Sequence, residues 1–496
     1  MERLQLIGGS YVARSIIANA QRCVNLYPER NPKDSPTPVT HYQRPGFRKL
    51  VSGPQAAVVR GLYRASNGNG YCVIGNRVFF ISPGFFLTQI GALVSPNNNP
   101  VSFIDNGIDI LLVDSSPVGY QIQMSNNAFS QIVDSTGTFV GATRVDYIDT
   151  FVLWNLPNTV NFGSTHSNSL IFDPLYTAGK VGYPDPLVTL MVNHDQILLI
   201  GQLKGEIWYD AGGALFPFAK LPGAYIEHGC AAPYSIAYQD IAVYWLSSDL
   251  QGQGVVVRQR GYSNERISNH ALEYAIQQMA ANGSITDAIG YTYQQGGHVF
   301  YVLIFPSGNE TWVFDESTQD WHQRAWTDQA GNLNRDRSNC HAFIYGTNVV
   351  GDWQNGTLYA LDPNYYTDQV SGDNGPISYI RGFPHIVAGR TSQGQMVLAN
   401  GLELVFRSFM LDLECGNGPA DLNGNPPQVG LRWSDTRGKT WGNTILQSAG
   451  ATGHYLTRPT WKGLGLARDR VFEVNYSFAG PAALQGAWVD AELATK

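Results

Sequence analysis

A chain of 496 residues is too long for one ordinary core and reads as two or three domains, or as one large repeat domain with a smaller companion. Hydrophobic residues make up 43% of it, charged residues only 14%, and the formal net charge is −7. That balance excludes a protein whose whole surface grips nucleic-acid phosphates, while leaving a weakly repulsive wall past which a polyanion slides. With 53 glycines and 12% aromatic residues the expected class is all-β. The five cysteines, Cys23, Cys72, Cys230, Cys340 and Cys415, form no C-x-x-C pair and read as small buried apolar residues of a reducing compartment. The opening MERLQLIGGSYVARS has no basic head followed by an apolar run, and no window approaches the roughly 18 apolar residues of a membrane span. Neither a signal peptide nor a membrane helix is expected.

Residues 1–55, with YPERNPKDSPTPVTHYQRPGF, read as an irregular, proline-rich arm. From residue 56 to 374 one pattern recurs: a short apolar strand, a tight polar or glycine turn, a more apolar strand, another turn and a third strand. The copies are GLYRASNGNGYCVIGNRVFFIS from Gly61, VSFIDNGIDILLVDSSPVGYQIQ from Val101, TRVDYIDTFVLWNLPNTVNFGS from Thr143 and TLMVNHDQILLIGQLKGEIWYD from Thr189. YSIAYQDIAVYWLSSDLQGQGVVVRQ from Tyr234, IGYTYQQGGHVFYVLIFPSGNETWVFD from Ile289 and HAFIYGTNVVGDWQNGTLYALD from His341 complete the series. The first turns fall near Asn69, Asn106, Asp149, Asp195, Asp240, Gly296 and Thr347, 37 to 56 residues apart, the spacing of four-stranded propeller blades. The second strands are apolar at successive positions, as strands sandwiched between blades must be. A β-propeller of six or seven blades is predicted.

One helix interrupts the pattern. Ser268 or Asn269 caps it, Asn282-Gly283 ends it, and Leu272, Ala275, Ile276 and Met279 share a face. It reads as an insert between blades, or as a subunit contact. Residues 375–496 hold alternating or apolar runs, VLANGLELVFRSFMLDLEC, VGLRWSDTRGKTW and RVFEVNYSFAGP, that predict a β-sandwich platform joined by the N-terminal arm. Residues 431–470 carry seven Lys/Arg against two Asp, a basic patch for DNA or an acidic partner, or a solvated face.

Little in the chain suggests chemistry. SDTRGKTW resembles the Asp-box hairpin turn, S-x-D-x-G-x-T-W, with Ser434, Gly438, Thr440 and Trp441 matching and Thr436 in place of the central Asp. That turn is structural, with a buried Trp, even in the sialidases where it is best known. His194, His228, His298 and His341 stand isolated, without metal-ligand spacing. Gly201-Gln-Leu-Lys-Gly205 is a hairpin turn, and no phosphate loop, nucleophile elbow or dinucleotide fingerprint occurs. No catalytic, cofactor-binding or metal-binding residues are assigned, and no enzyme activity or cofactor is expected.

Three stretches carry a family resemblance. SYVARSIIANAQRCVNLYPE, from Ser10, is similar to the opening of the packaged-DNA stabilisation proteins of short-tailed bacteriophages. GDWQNGTLYALDP, from Gly351, resembles their last propeller segment, and LRWSDTRGKTWGN with RPTWKGLGLARDRVFEV their ending. The resemblance implies a tail hub or nozzle: a ring, usually of six subunits, below the portal and its adaptor, that extends the DNA channel and helps retain the genome until ejection. Its implied partners are further copies of itself, the tail adaptor or head-completion protein, a tail fibre, tailspike or tail needle, and double-stranded DNA passing non-specifically through the channel. The implied location is the virion tail, after assembly in the host cytoplasm. The alternative reading is a carbohydrate-binding or glycan-hydrolysing propeller of a phage tail, which a pocket of clustered carboxylates or arginines on the propeller axis would favour.

Overall fold

The seven turns predicted from the repeat each join two antiparallel strands in the computed structural model, which describes residues 2–4, 6, 8–12, 21–95, 97–213, 216–248, 252, 254–370, 375–387, 402–420 and 424–494. Two of these turns show why their residues are needed. Gly296-Gly297 links Ile289–Gln295 to His298–Phe305, and Tyr345-Gly346 links Ser338–Ile344 to Thr347–Asp352, with both central residues at positive φ in each case. That is the primed geometry whose twist matches paired strands.

Each turn opens a four-stranded antiparallel blade, and the blades number seven. Their innermost strands are Val59–Arg64, Ser102–Asp105, Val145–Ile148, Leu187–Asn193, Ala237–Gln239, Ile289–Gln295 and Ser338–Ile344 for blades 1 to 7. The apolar second strands face two interfaces at once. In blade 2, Ile110 and Leu112 pack with Tyr71, Val73 and Val78 of blade 1, while Leu111 and Val113 pack with Val145, Val152 and Trp154 of blade 3. The same division produces a core at every blade interface, including that between blades 7 and 1. Each fully buried branched side chain there contributes roughly 1.5–3 kcal/mol. Polar ties cross the same interfaces: Arg60 of blade 1 pairs with Asp114 of blade 2 at 2.8 Å, and Arg258 of blade 5 with Glu316 of blade 6 at 2.6 Å.

The fourth strands were not visible in the repeat. Phe129–Gln131 and Ser263–Arg266 are short and mostly exposed, so no apolar pattern marks them. Blade 7 takes its fourth strand from the other end of the chain. Gly46–Ser52 pairs antiparallel with Thr357–Asp362, from Thr357↔Ser52 to Asp362↔Gly46, and closes the ring.

The N-terminal arm is therefore more regular than its prolines suggest. Leu26–Arg30 and Val39–Gln43 form an antiparallel pair in one platform sheet, followed in order by Leu484–Leu493, Leu404–Leu413 and Thr460–Ala467. Pro28 is tolerated because Leu26–Arg30 is the edge strand, where a missing N–H costs no ladder bond. The second platform sheet runs Cys23–Val24, Tyr379–Gly382, Asp469–Tyr476, Gln428–Ser434, Ile445–Ser448. A core that includes Phe409, Leu411, Trp461, Phe472 and Val474 fills the space between the two sheets. Residues 13–20 of the first family-like stretch, and the start of VLANGLELVF, lie outside the described residues; the strand there begins at Leu404.

The helix spans His270–Asn282, with Asn269 as cap: its Oδ1 accepts from Leu272 N at 2.9 Å. Leu272, Ile276 and Met279 pack among Leu246, Val256, Leu303 and Phe305 of blades 5 and 6. All five cysteines are unpaired, four of them buried and Cys340 half-buried.

Candidate functional site: the seam and outer edges of the platform

The propeller and platform share one sheet. Val24 pairs in parallel with Gln323 on the outer strand of blade 6 and antiparallel with Ile380 of the platform. Asn25, fully buried and at φ 59, locks this junction. Its Nδ2 donates to the carbonyls of Ala325 (2.9 Å) and Ser378 (2.7 Å), and its Oδ1 accepts from Ala325 N (2.9 Å) and Arg44 Nε (3.0 Å). Arg44 then forms a two-pronged pair with Asp368, at 2.5 and 3.1 Å. Arg381 is also fully buried, and its guanidinium donates to the carbonyls of Gly8 (2.8 Å) and Gly9 (3.1 Å) and to Gln21 Oε1 (2.8 Å). Burial lowers the Arg381 pKa and holds the neighbouring His41 and His322 neutral, well below the ordinary imidazole value. His298, by contrast, is raised because it hydrogen-bonds Asp315 at 2.7 Å. Buried charges of this kind add little net stability but fix one geometry when every partner is present.

The Asp-box-like residues meet in a turn at the end of Gln428–Ser434. Ser434 Oγ accepts from Gly438 N at 2.8 Å and from Thr436 N at 3.3 Å. The Thr436 hydroxyl stands in for the missing carboxylate, accepting from Thr440 N at 2.8 Å, and Arg437 and Gly438 adopt positive φ. Trp441 sits at the rim of this turn, half-buried, with the Arg432 guanidinium 4.8 Å from its ring centre. The tryptophan that fills the core is instead Trp461, whose Nε1 donates to Ile445 O at 2.8 Å.

Four of the seven basic residues in the window from 431 to 470 are paired with carboxylates. Arg432 pairs with Glu473, Arg437 with Asp469, Arg470 with Asp435 and Arg468 with Glu403. Two of these partners, Glu403 and Glu473, lie outside the window and so escaped a count along the sequence. Among the described residues no group of His, Cys, Asp and Glu side chains is placed to hold a metal ion. His341 bonds Asn348 at 3.0 Å and is pushed down to about 4 by burial, and Gly201 N donates to Lys204 O within its hairpin.

What the platform offers is surface. Ile445–Ser448 is the outer edge of one sheet and Thr460–Ala467 the outer edge of the other. The loop between them carries Tyr455 and Leu456, 66% and 96% exposed, and the flanking edges add exposed Leu446 and Leu466. Unpaired strand edges with exposed apolar side chains are templates for another chain. The only sequence signal for this surface is a Tyr-Leu pair inside a polar, glycine-bearing loop.

The propeller's own axis is crossed. Ser115 Oγ, beyond the second strand of blade 2, hydrogen-bonds Tyr234 OH, ahead of blade 5. These blades are separated by two others on one side and three on the other, so the bond spans the middle of the ring.

The chain is a seven-bladed propeller that shares a sheet with a β-sandwich and carries one side-chain bond across its axis. Residues 3–366 match the family described as bacteriophage P22 Gp10, β-propeller, and residues 390–492 the one described as bacteriophage P22 Gp10, β-sandwich. The chain belongs to this phage structural family. No curated protein matches it. Among solved structures it is similar to the extracellular domain of a putative hybrid two-component system from B. thetaiotaomicron, with TM-score 0.43 and 12% identity over 75% of this chain. The match spans only 45% of that longer chain. It is also similar to the WD40 β-propeller domain of Doa1, with TM-score 0.39 and 8% identity over 64% of this chain and 96% of that one.

Proposed function

We propose that the protein is a tail nozzle subunit: copies join through the platform into a closed ring of six below the portal and adaptor, and the ring continues the DNA channel. The observation that carries this reading is the outward face formed by residues 445–466, two strand edges and an apolar loop, on a chain of the P22 Gp10 family. When one such face meets a different face of an identical neighbour, the contact closes into a ring where the rotation between subunits divides a full turn. Because Ser115 and Tyr234 bridge the propeller axis, the conduit is the space enclosed by the ring of subunits. The net charge of −7 suits a wall that lets DNA slide during ejection. The remaining partners in this reading are the adaptor above and a fibre, tailspike or needle below, in a virion tail assembled in the host cytoplasm.

Electron microscopy of the protein with its adaptor tests the proposal. The expected result is a six-fold ring around an open channel, lost in Leu456→Asp while the isolated subunit keeps its melting temperature. A ring that survives Leu456→Asp, or a particle reconstruction placing this chain off the DNA path, refutes it.

A further inference from the structure

The three remaining basic residues of the 431–470 window, Lys439, Arg458 and Lys462, are exposed, and none pairs with a carboxylate among the described residues. Lys439 lies in the turn that leads to Ile445–Ser448, Arg458 ends the loop that carries Tyr455 and Leu456, and Lys462 sits on the edge strand Thr460–Ala467. The outward platform face is thus apolar and locally basic, on a chain whose net charge is −7. The propeller carries the complementary face. The first turns of all blades open on one side of the ring, and those of blades 3, 4 and 5 hold exposed Asp149, Asp195 and Asp240. The corresponding turns of the other blades, at residues 66–69, Gly107-Ile108, Gly296-Gly297 and Tyr345-Gly346, carry no charge, so the turn itself does not require a carboxylate.

Aromatic side chains gather on the same side of the ring, over the seam between blades 4 and 5. Tyr209 is the cross-strand partner of Gln196, whose Nε2 donates to Tyr262 OH of blade 5 at 2.8 Å. Tyr238 is the cross-strand partner of Val243, which belongs to the core between these two blades. Tyr238, Ile241 and Tyr262 are each more than half exposed. Arg260 of blade 5 pairs with Glu316 of blade 6, and no ion pair among the described residues involves Asp149, Asp195 or Asp240. Exposed tyrosines with unpaired charges beside them have the anatomy of a protein contact, and the sign of the charge selects the partner. A DNA duplex is repelled by these carboxylates, whereas the basic platform edge is attracted. We propose that the face over blades 4 and 5 receives the platform edge of a second copy of this chain. Lys439, Arg458 and Lys462 of one subunit are set against Asp149, Asp195 and Asp240 of the next, and Tyr455 and Leu456 against its tyrosines. The contact rests on the nozzle reading and supplies the different face that a ring of identical subunits requires.

Charge reversal tests the contact, read by electron microscopy of the full chain with its adaptor. Asp195→Lys/Asp240→Lys and Arg458→Glu/Lys462→Glu should each keep the subunit's melting temperature and lower the fraction of subunits in rings by about tenfold, since like charges then meet. A mixture of the two variants should restore rings, because alternating copies in a ring of six regain opposite charges at every contact. One chain carrying all four substitutions should restore them as well. Wild-type rings that both variants leave unchanged overturn this contact and leave the nozzle reading standing. Rings lost in both variants and restored neither in the mixture nor in the four-substitution chain do the same. Absence of rings from the wild type overturns both readings.

Discussion

Replacing Asp368 with Asn is the sharpest probe of how the ring is closed. Asp368 takes two hydrogen bonds from Arg44, at 2.5 and 3.1 Å, and the two side chains are 7% and 1% exposed. Arg44 lies just ahead of Gly46–Ser52, the strand that completes blade 7, and Asp368 also accepts from Phe47 N at 3.3 Å within that strand. Asn has nearly the same shape but no charge, and its amide turns a donor toward the guanidinium. A buried cation stripped of its partner costs about 3–5 kcal/mol, against a domain stability of about 5–15 kcal/mol. The melting temperature should fall by on the order of 10 °C. Hydrogen exchange should locate the loss, with amides of 46–52 and 357–362 deprotected before those of blades 2 to 4. The double variant Arg44→Met/Asp368→Leu removes both charges and should recover most of the stability. If Asp368→Asn shifts stability by less than about 0.5 kcal/mol, or exchange rises first in blade 3, the pair is not what holds the closing strand.

Trp461→Ala should cost about 3–5 kcal/mol as a buried aromatic deletion. Trp441→Ala should cost only about 1 kcal/mol, the worth of its stacking with Arg432; equal losses in denaturant melts would reverse the assignment of core and rim. Burial keeps His41, His322 and His341 neutral in the fold, below their ordinary 6.5, so the unfolded chain gains protons that the fold refuses. Their contribution is complete above pH 6.5 and lost below it, at a slope approaching roughly 4 kcal/mol per pH unit between pH 6 and 5. His298 has the opposite sign, stabilising at low pH and losing that effect as pH rises through its raised pKa. Melting between pH 5 and 8 should show the acid-side fall, and His322→Phe should lower its slope by about a third.

Legibility in the sequence tracked burial on both faces. Ile110–Val113 and Phe300–Phe305 announced a propeller because each side chain meets a neighbouring blade, and apolar composition records that directly. The fourth strands, such as Phe129–Gln131, were silent because a strand at the rim needs no apolar pattern. Pro28 made the arm read as irregular, since composition does not reveal that its strand is an edge. Trp441 drew attention through its motif while Trp461, carrying no motif, fills the core.

The path of the chain explains why propeller and platform form one body. It starts in the platform with Leu26–Arg30 and Val39–Gln43, supplies the closing strand Gly46–Ser52, circles through blades 1 to 6, meets that strand at Thr357–Asp362, and returns to the platform at Tyr379–Gly382. Blade 7 is thus complete only after some three hundred residues have folded between its strands. The entropy of closing so long a loop grows slowly, by about 0.6 kcal/mol per doubling of length, so the seven inter-blade cores can outweigh it. The same closure brings Arg44 to Asp368 and Val24 between blade 6 and the platform, so locking the ring and docking the platform are one event. In the proposed nozzle this coupling has a use: platform edges that join subunits also set the direction of every propeller, because no flexible linker intervenes between Val24 and Gln323.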